Sequence, residues 1–122
     1  MLVIDKMSRI PIYEQIEEGI KREIATGILK PKDQLPSIRE LSVILSTNPN
    51  TVQKAIMSLD RAGIIVSTQG RGSFVAEDAR ERIKDSLFVK LDEIKAIATA
   101  LRDAGVDSKE LIDAIESIYN SK

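Results

Sequence analysis

Pro49 restricts this chain more than any other residue. In the stretch STNPNTVQKAI, Ser46 to Ile56, it falls between two asparagines just where apolar residues take up a helical period. Proline has no N–H to donate and its ring meets the carbonyl four residues back, so a helix does not run through it, whereas its fixed φ suits the first position of a new one. One helix must therefore end before Pro49 and another start there, with Asn48 as its cap. The new helix turns Val52, Ile56 and Leu59 to one side, Ala55 lets a neighbour approach closely, and Gly63 suits the position just past its end.

The preceding helix has an equally sharp start. In SIRE, Ser37 to Glu40, the Ser37 hydroxyl is placed to accept from the Glu40 N–H while the Glu40 side chain reaches back to Ser37. Its apolar stripe is Ile38, Leu41, Ile44 and Leu45, and the pattern stops at Ser46. Two short helices joined by a tight turn make a helix-turn-helix, whose second helix presents Asn50, Thr51, Gln53 and Lys54 on and beside its N-terminal face. Small polar side chains there can approach base edges or phosphates, and the positive end of the helix dipole favours phosphate.

Upstream, Ile12, Ile16, Ile20 and Ile24 recur every four residues, with Pro11 at the first helical position and Gly27 just past the end, so a first amphipathic helix is expected. The loop GILKPKDQLP follows, and Leu35 is expected in a short extended segment before Pro36. Downstream of Gly63, IIVSTQGRGSFVA places two β-rich runs around the turn residues Gly70, Arg71 and Gly72, which predicts a β-hairpin with Gln69 and Arg71 at its tip. Glycines beside that tip would let the backbone lie flat against a sugar-phosphate surface. A helix-turn-helix followed by such a hairpin is a winged helix, so the expected class is mainly α with a small β-hairpin.

Strand signals end at Val75. Ile83, Leu87, Leu91, Ile94, Ala98 and Leu101 predict one long amphipathic helix ended by Gly105. Asp107 with Glu110 resembles another capping box, ahead of a last helix with the stripe Leu111, Ile112, Ile115, Ile118 and Tyr119. Two domains are thus expected, a winged helix-turn-helix over residues 1–76 and a two-helix hairpin over 77–122. A hairpin this small rarely buries its stripes alone, so a second copy is the expected partner, through Leu87, Leu91, Ile94, Ala98, Leu101, Leu111, Ile115 and Ile118.

Composition narrows the chemistry. The 122 residues, 43% of them apolar, suffice for one cored domain and an appendage. Cysteine and histidine are both absent, which removes disulfides, thiolate and imidazole metal ligands, cysteine nucleophiles and every triad with a histidine base. Carboxylates such as Asp33 and Glu40 lack a phosphate loop or nucleophile beside them in the sequence, so neither an enzyme nor a cofactor is expected. No apolar run approaches the length of a membrane span and no secretory signal opens the chain, which predicts a cytoplasmic protein. The net charge of −1 conceals an asymmetry: residues 1–76 carry ten Lys/Arg against eight Asp/Glu, and residues 77–122 eight against eleven. A winged helix turned into a protein-interaction module is the alternative reading, opposed by the polar residues retained on helix and wing.

The stretch from Gly27 to Val75 resembles the DNA-binding domain of the GntR family of bacterial transcription regulators. The likeness covers about residues 10 to 76 and rests on LPSIREL before and into the second helix, NPNTVQKA in the third, the following L…AGII and the GRGSFV hairpin, in that order. It implies that operator DNA is contacted by Arg39, by Asn48, Asn50, Thr51 and Gln53, and by Gln69, Gly70 and Arg71, with Ser37 and Lys54 beside them. Lys32 stands where the family commonly has glycine, and Thr47 where it commonly has valine. The short tail is similar to that of the YtrA-like subfamily, which implies a homodimeric regulator, most simply a repressor of a palindromic operator. No residue identifies a small-molecule effector.

Overall fold

The computed structural model describes residues 2 to 121. Their order is α1 (Ile12–Ala25), α2 (Ile38–Ile44), α3 (Pro49–Arg61), β1 (Ile65–Thr68), β2 (Gly72–Val75), α4 (Ala79–Phe88), α5 (Leu91–Asp103) and α6 (Ser108–Asn120). The chain forms two compact units, the first closing at Asp85 and the second starting at Ser86.

In the first unit the four-residue repeat of α1 buries Ile16, Ile20 and Ile24 against Val52, Ala55, Ile56 and Leu59 of α3. Burying one such side chain contributes about 1.5–3 kcal/mol, so these two faces define the core. Pro11 occupies the N-cap of α1, one position before its expected place, and Gly27 follows the helix at φ 85°. The capping box of α2 forms as read: Glu40 N–H donates to Ser37 Oγ at 3.0 Å and Ser37 N–H donates to Glu40 Oε1 at 3.2 Å. Ile44 is a correction, since it is 67% exposed instead of joining the stripe. Over this short helix and its C-cap the inward positions are Ile38, Leu41, Ser42 and Leu45, at helical spacing, and Ile44 falls beyond the edge of that face.

The hairpin pairs Ile65 with Val75 and Thr68 with Gly72, so its turn is Gln69–Gly70–Arg71 and Gly72 already belongs to β2. The loop before α2 runs along the other edge of β2. Lys32 N–H donates to Val75 O, Val75 N–H to Asp33 O and Leu35 N–H to Ser73 O, each at 2.8 Å, and Leu35 is buried in this extended segment. Lys32 adopts φ 72°, a conformation that favours glycine, which accounts for the residue type common at this position in the resembled family.

The expected single helix after Val75 is two helices. α4 ends at Phe88, and Lys90 N–H turns back to Leu87 O before α5 begins. The break separates two tasks: Ala79 and Ile83 at the start of α4 are buried in the first unit, whereas the residues from Leu87 onward carry apolar side chains outside that core. Arg80 Nη2 donates to Ala25 O at 3.2 Å, and the Arg82 guanidinium, paired with Asp78 at 2.9 Å, covers Gly63 so closely that a Cβ there would lie 2.8 Å from it.

In the second unit α5 ends at Asp103, Gly105 follows its cap at φ 91°, and Val106 N–H returns to Leu101 O at 2.9 Å. Asp107 caps α6 by accepting from Lys109 N–H at 3.2 Å, not from Glu110 N–H as a full capping box requires. Neither helix has a buried residue. Ala98, Leu101 and Leu111 are half-buried, while Leu87, Leu91, Ile94, Ile115 and Ile118 are exposed. Among the described residues no helix is long and apolar enough to cross a membrane.

Candidate nucleic-acid interface

The turn between α2 and α3 is built to expose the start of α3. Leu45 closes α2, Ser46 takes φ 49° and Thr47 N–H donates to Ser42 O at 2.9 Å. Thr47 Oγ1 also donates to Leu45 O at 3.0 Å, so a polar side chain serves the turn where valine is common. Asn48 then caps α3, its Oδ1 accepting from Asn50 N–H at 2.8 Å, with Pro49 in the first turn. That turn carries no acidic residue. Asn48, Asn50 and Gln53 are exposed, and Thr51 is half-buried.

Ser37 and Arg39 stand at the exposed start of α2, packed beside α3. Among the described residues no ion pair engages Arg39, so its guanidinium keeps its five donors for another partner. Lys54 differs, because its Nζ lies 4.0 Å from the centre of the Tyr13 ring on α1. This cation–π contact orients the ammonium while leaving it exposed. The nearby Glu14 carboxylate, then lost hydration, hold the Tyr13 hydroxyl above the usual phenol range, so the ring stays neutral.

Gln69, Gly70 and Arg71 are exposed at the tip of the hairpin. Gly70 has φ 81°, and Arg71 N–H closes the turn on Thr68 O at 3.0 Å. The tip is clamped from outside: Gln34 bridges Phe74 through its backbone, and its side-chain Nε2 donates to Arg71 O at 2.9 Å. Asp60 Oδ2 accepts from Ser67 N–H at 3.2 Å, tying β1 to α3. Sequence reasoning missed Gln34 and Tyr13. Each works through a partner far along the chain, and neither residue type nor spacing signals that partner.

The matched family model, described as bacterial regulatory proteins of the gntR family, spans residues 12–75. The chain is 40% identical over 119 residues to the HTH-type transcriptional repressor YtrA of Bacillus subtilis, covering 97% of this chain and 92% of that one. A transcriptional regulator from Oenococcus oeni superposes with a TM-score of 0.76 at 28% identity, covering 98% of this chain and all of its own. The DNA-binding domain of AraR, solved in complex with operator ORX1, superposes over 62% of this chain and 93% of its own, with a TM-score of 0.56 and 34% identity. A winged helix-turn-helix whose helix pair and hairpin meet that family model over half the chain leaves one assignment: the protein belongs to the gntR family of bacterial regulatory proteins.

Proposed function

We propose that the protein is a homodimeric transcription repressor that reads a palindromic operator. The observation that carries this reading is the exposed, uncharged first turn of α3, held by the Asn48 cap beside Arg39 and followed by a clamped wing. Asn50, Thr51 and Gln53 enter a major groove with α3, Arg39 and Ser37 contact its edge, and Gln69, Gly70 and Arg71 reach the flanking backbone or minor groove. Lys54 and Asn48 face phosphate. AraR, whose DNA-binding domain is solved on its operators, and the repressor YtrA support both the ligand and the sign of regulation.

Exposed Ile94, Ile115 and Ile118 on α5 and α6 support pairing through the tail. Monomeric proteins rarely leave so many large apolar side chains in water, and pairing two copies covers them. The small positive charge of residues 1–76 makes one subunit a weak binder, and two linked subunits supply the affinity. The protein acts in the cytoplasm, where its operator lies. The test is selection of bound duplexes from a random DNA pool by the purified protein at one stated salt concentration. Enrichment of a two-fold symmetric motif with half-sites about one helical turn apart is expected; a pool without any enriched motif would remove the reading.

A further inference from the structure

The segment ahead of α1 plays no part in the reading above, yet it is firmly held. Gln15 Nε2 donates to the carbonyls of Asp5 and Ile10, both at 2.9 Å, and Gln15 Oε1 accepts from Asp5 N–H at 2.8 Å. Leu2 lies against Gly19, where any Cβ would collide with it. Residues 2–10 are therefore a strap bound to α1. From this strap Lys6 crosses to the helix-turn-helix, its Nζ donating to Ser46 O at 2.7 Å over a sequence separation of 40. Ser46 lies in the turn, two residues before the cap of α3.

An ammonium has three N–H donors, so two remain after the bond to Ser46. Lys6 is exposed. Asp5, beside it on the strap, accepts from Met7 N–H at 2.9 Å, and among the described residues no ion pair engages Lys6. Lys54, over the Tyr13 ring, places a second cation between α1 and the same end of α3. A major groove is only about 12 Å wide, so a charge anchored beside the end of a helix entering it lies next to a phosphate strand.

We infer that Lys6 is a further DNA-contacting residue, binding a backbone phosphate at the edge of the groove that α3 enters. This rests on the operator reading, and makes the N-terminal strap a third contacting element beside α3 and the wing. The duplex selected by the wild-type protein is titrated by fluorescence anisotropy between about 50 and 200 mM salt. Lys6→Met, which keeps the apolar stem, weakens binding and lowers the slope of log affinity against log salt by about 0.9 per subunit, whereas Lys6→Arg restores it. Equal melting temperatures of the three proteins exclude unfolding as the cause. An unchanged slope for Lys6→Met, with affinity kept or lost, overturns the inference and leaves the operator reading standing. Failure of the wild-type protein to select any duplex overturns both.

Discussion

Replacing Gly72 by alanine tests how the wing is held. Gly72 has φ 107°, which an L side chain tolerates at a cost of about 1–2 kcal/mol. The new Cβ would lie 2.9 Å from Gln34 Nε2, so the flexible amide must swing away and release Arg71 O. Losing that hydrogen bond costs about 1 kcal/mol. Alanine also stiffens the unfolded chain, which offsets about 0.4–1 kcal/mol of the loss. The balance is a destabilisation of about 1–2.6 kcal/mol, or a fall of about 4–10 °C in the midpoint of thermal unfolding followed by circular dichroism. Gln34→Ala alone should cost about 1 kcal/mol, and the double variant should fall short of the sum of the two by about the same amount, because both remove one bond. Additive losses, or an unchanged midpoint for Gly72→Ala, would show that Gln34 does not clamp the wing.

Asn48→Ala should lower stability by about 1 kcal/mol through loss of the α3 cap, while Asn50→Ala leaves the melting temperature unchanged and weakens operator binding by about 1–3 kcal/mol. Equal stability losses would merge the two roles. Arg39→Ala should weaken binding without altering the sedimentation coefficient of the free protein, and full affinity would take Arg39 out of the interface. Ile94→Asp combined with Ile115→Asp should convert a dimer to a monomer in sedimentation velocity, because each carboxylate lies on the apolar face of the tail; a persistent dimer would place pairing elsewhere. A chain ending after Asp85 should unfold cooperatively, whereas one ending after Ala76 loses buried Ile83 and Ala79, with the isoleucine alone worth about 2–5 kcal/mol. Equal melting temperatures for the two truncations would contradict the position of α4 in the core.

The ends of the elements were legible because the forces that set them act within a few residues. Pro49 cannot continue α2, Asn48 Oδ1 reaches the N–H two positions on, and Ser37 and Glu40 satisfy one another across three. Those short-range constraints, the isoleucine repeat of α1 and the turn residues Gly70, Arg71 and Gly72 made the helix-turn-helix and the hairpin legible in the sequence, and the family rested on the resemblance of their motifs. Only tertiary structure decided what depends on the meeting of remote segments. Gln34 clamps Arg71 over a separation of 37 residues, Lys6 reaches Ser46, and Lys54 finds the Tyr13 ring. The helix break after Phe88 belongs here too: the apolar spacing runs unbroken from Ile83 through Leu87 to Leu91, and periodicity records which side chains are apolar, not which body each one packs into. Ile44 makes the same point at the scale of one turn, since its spacing suits the apolar stripe of α2 and yet its side chain stays in solvent.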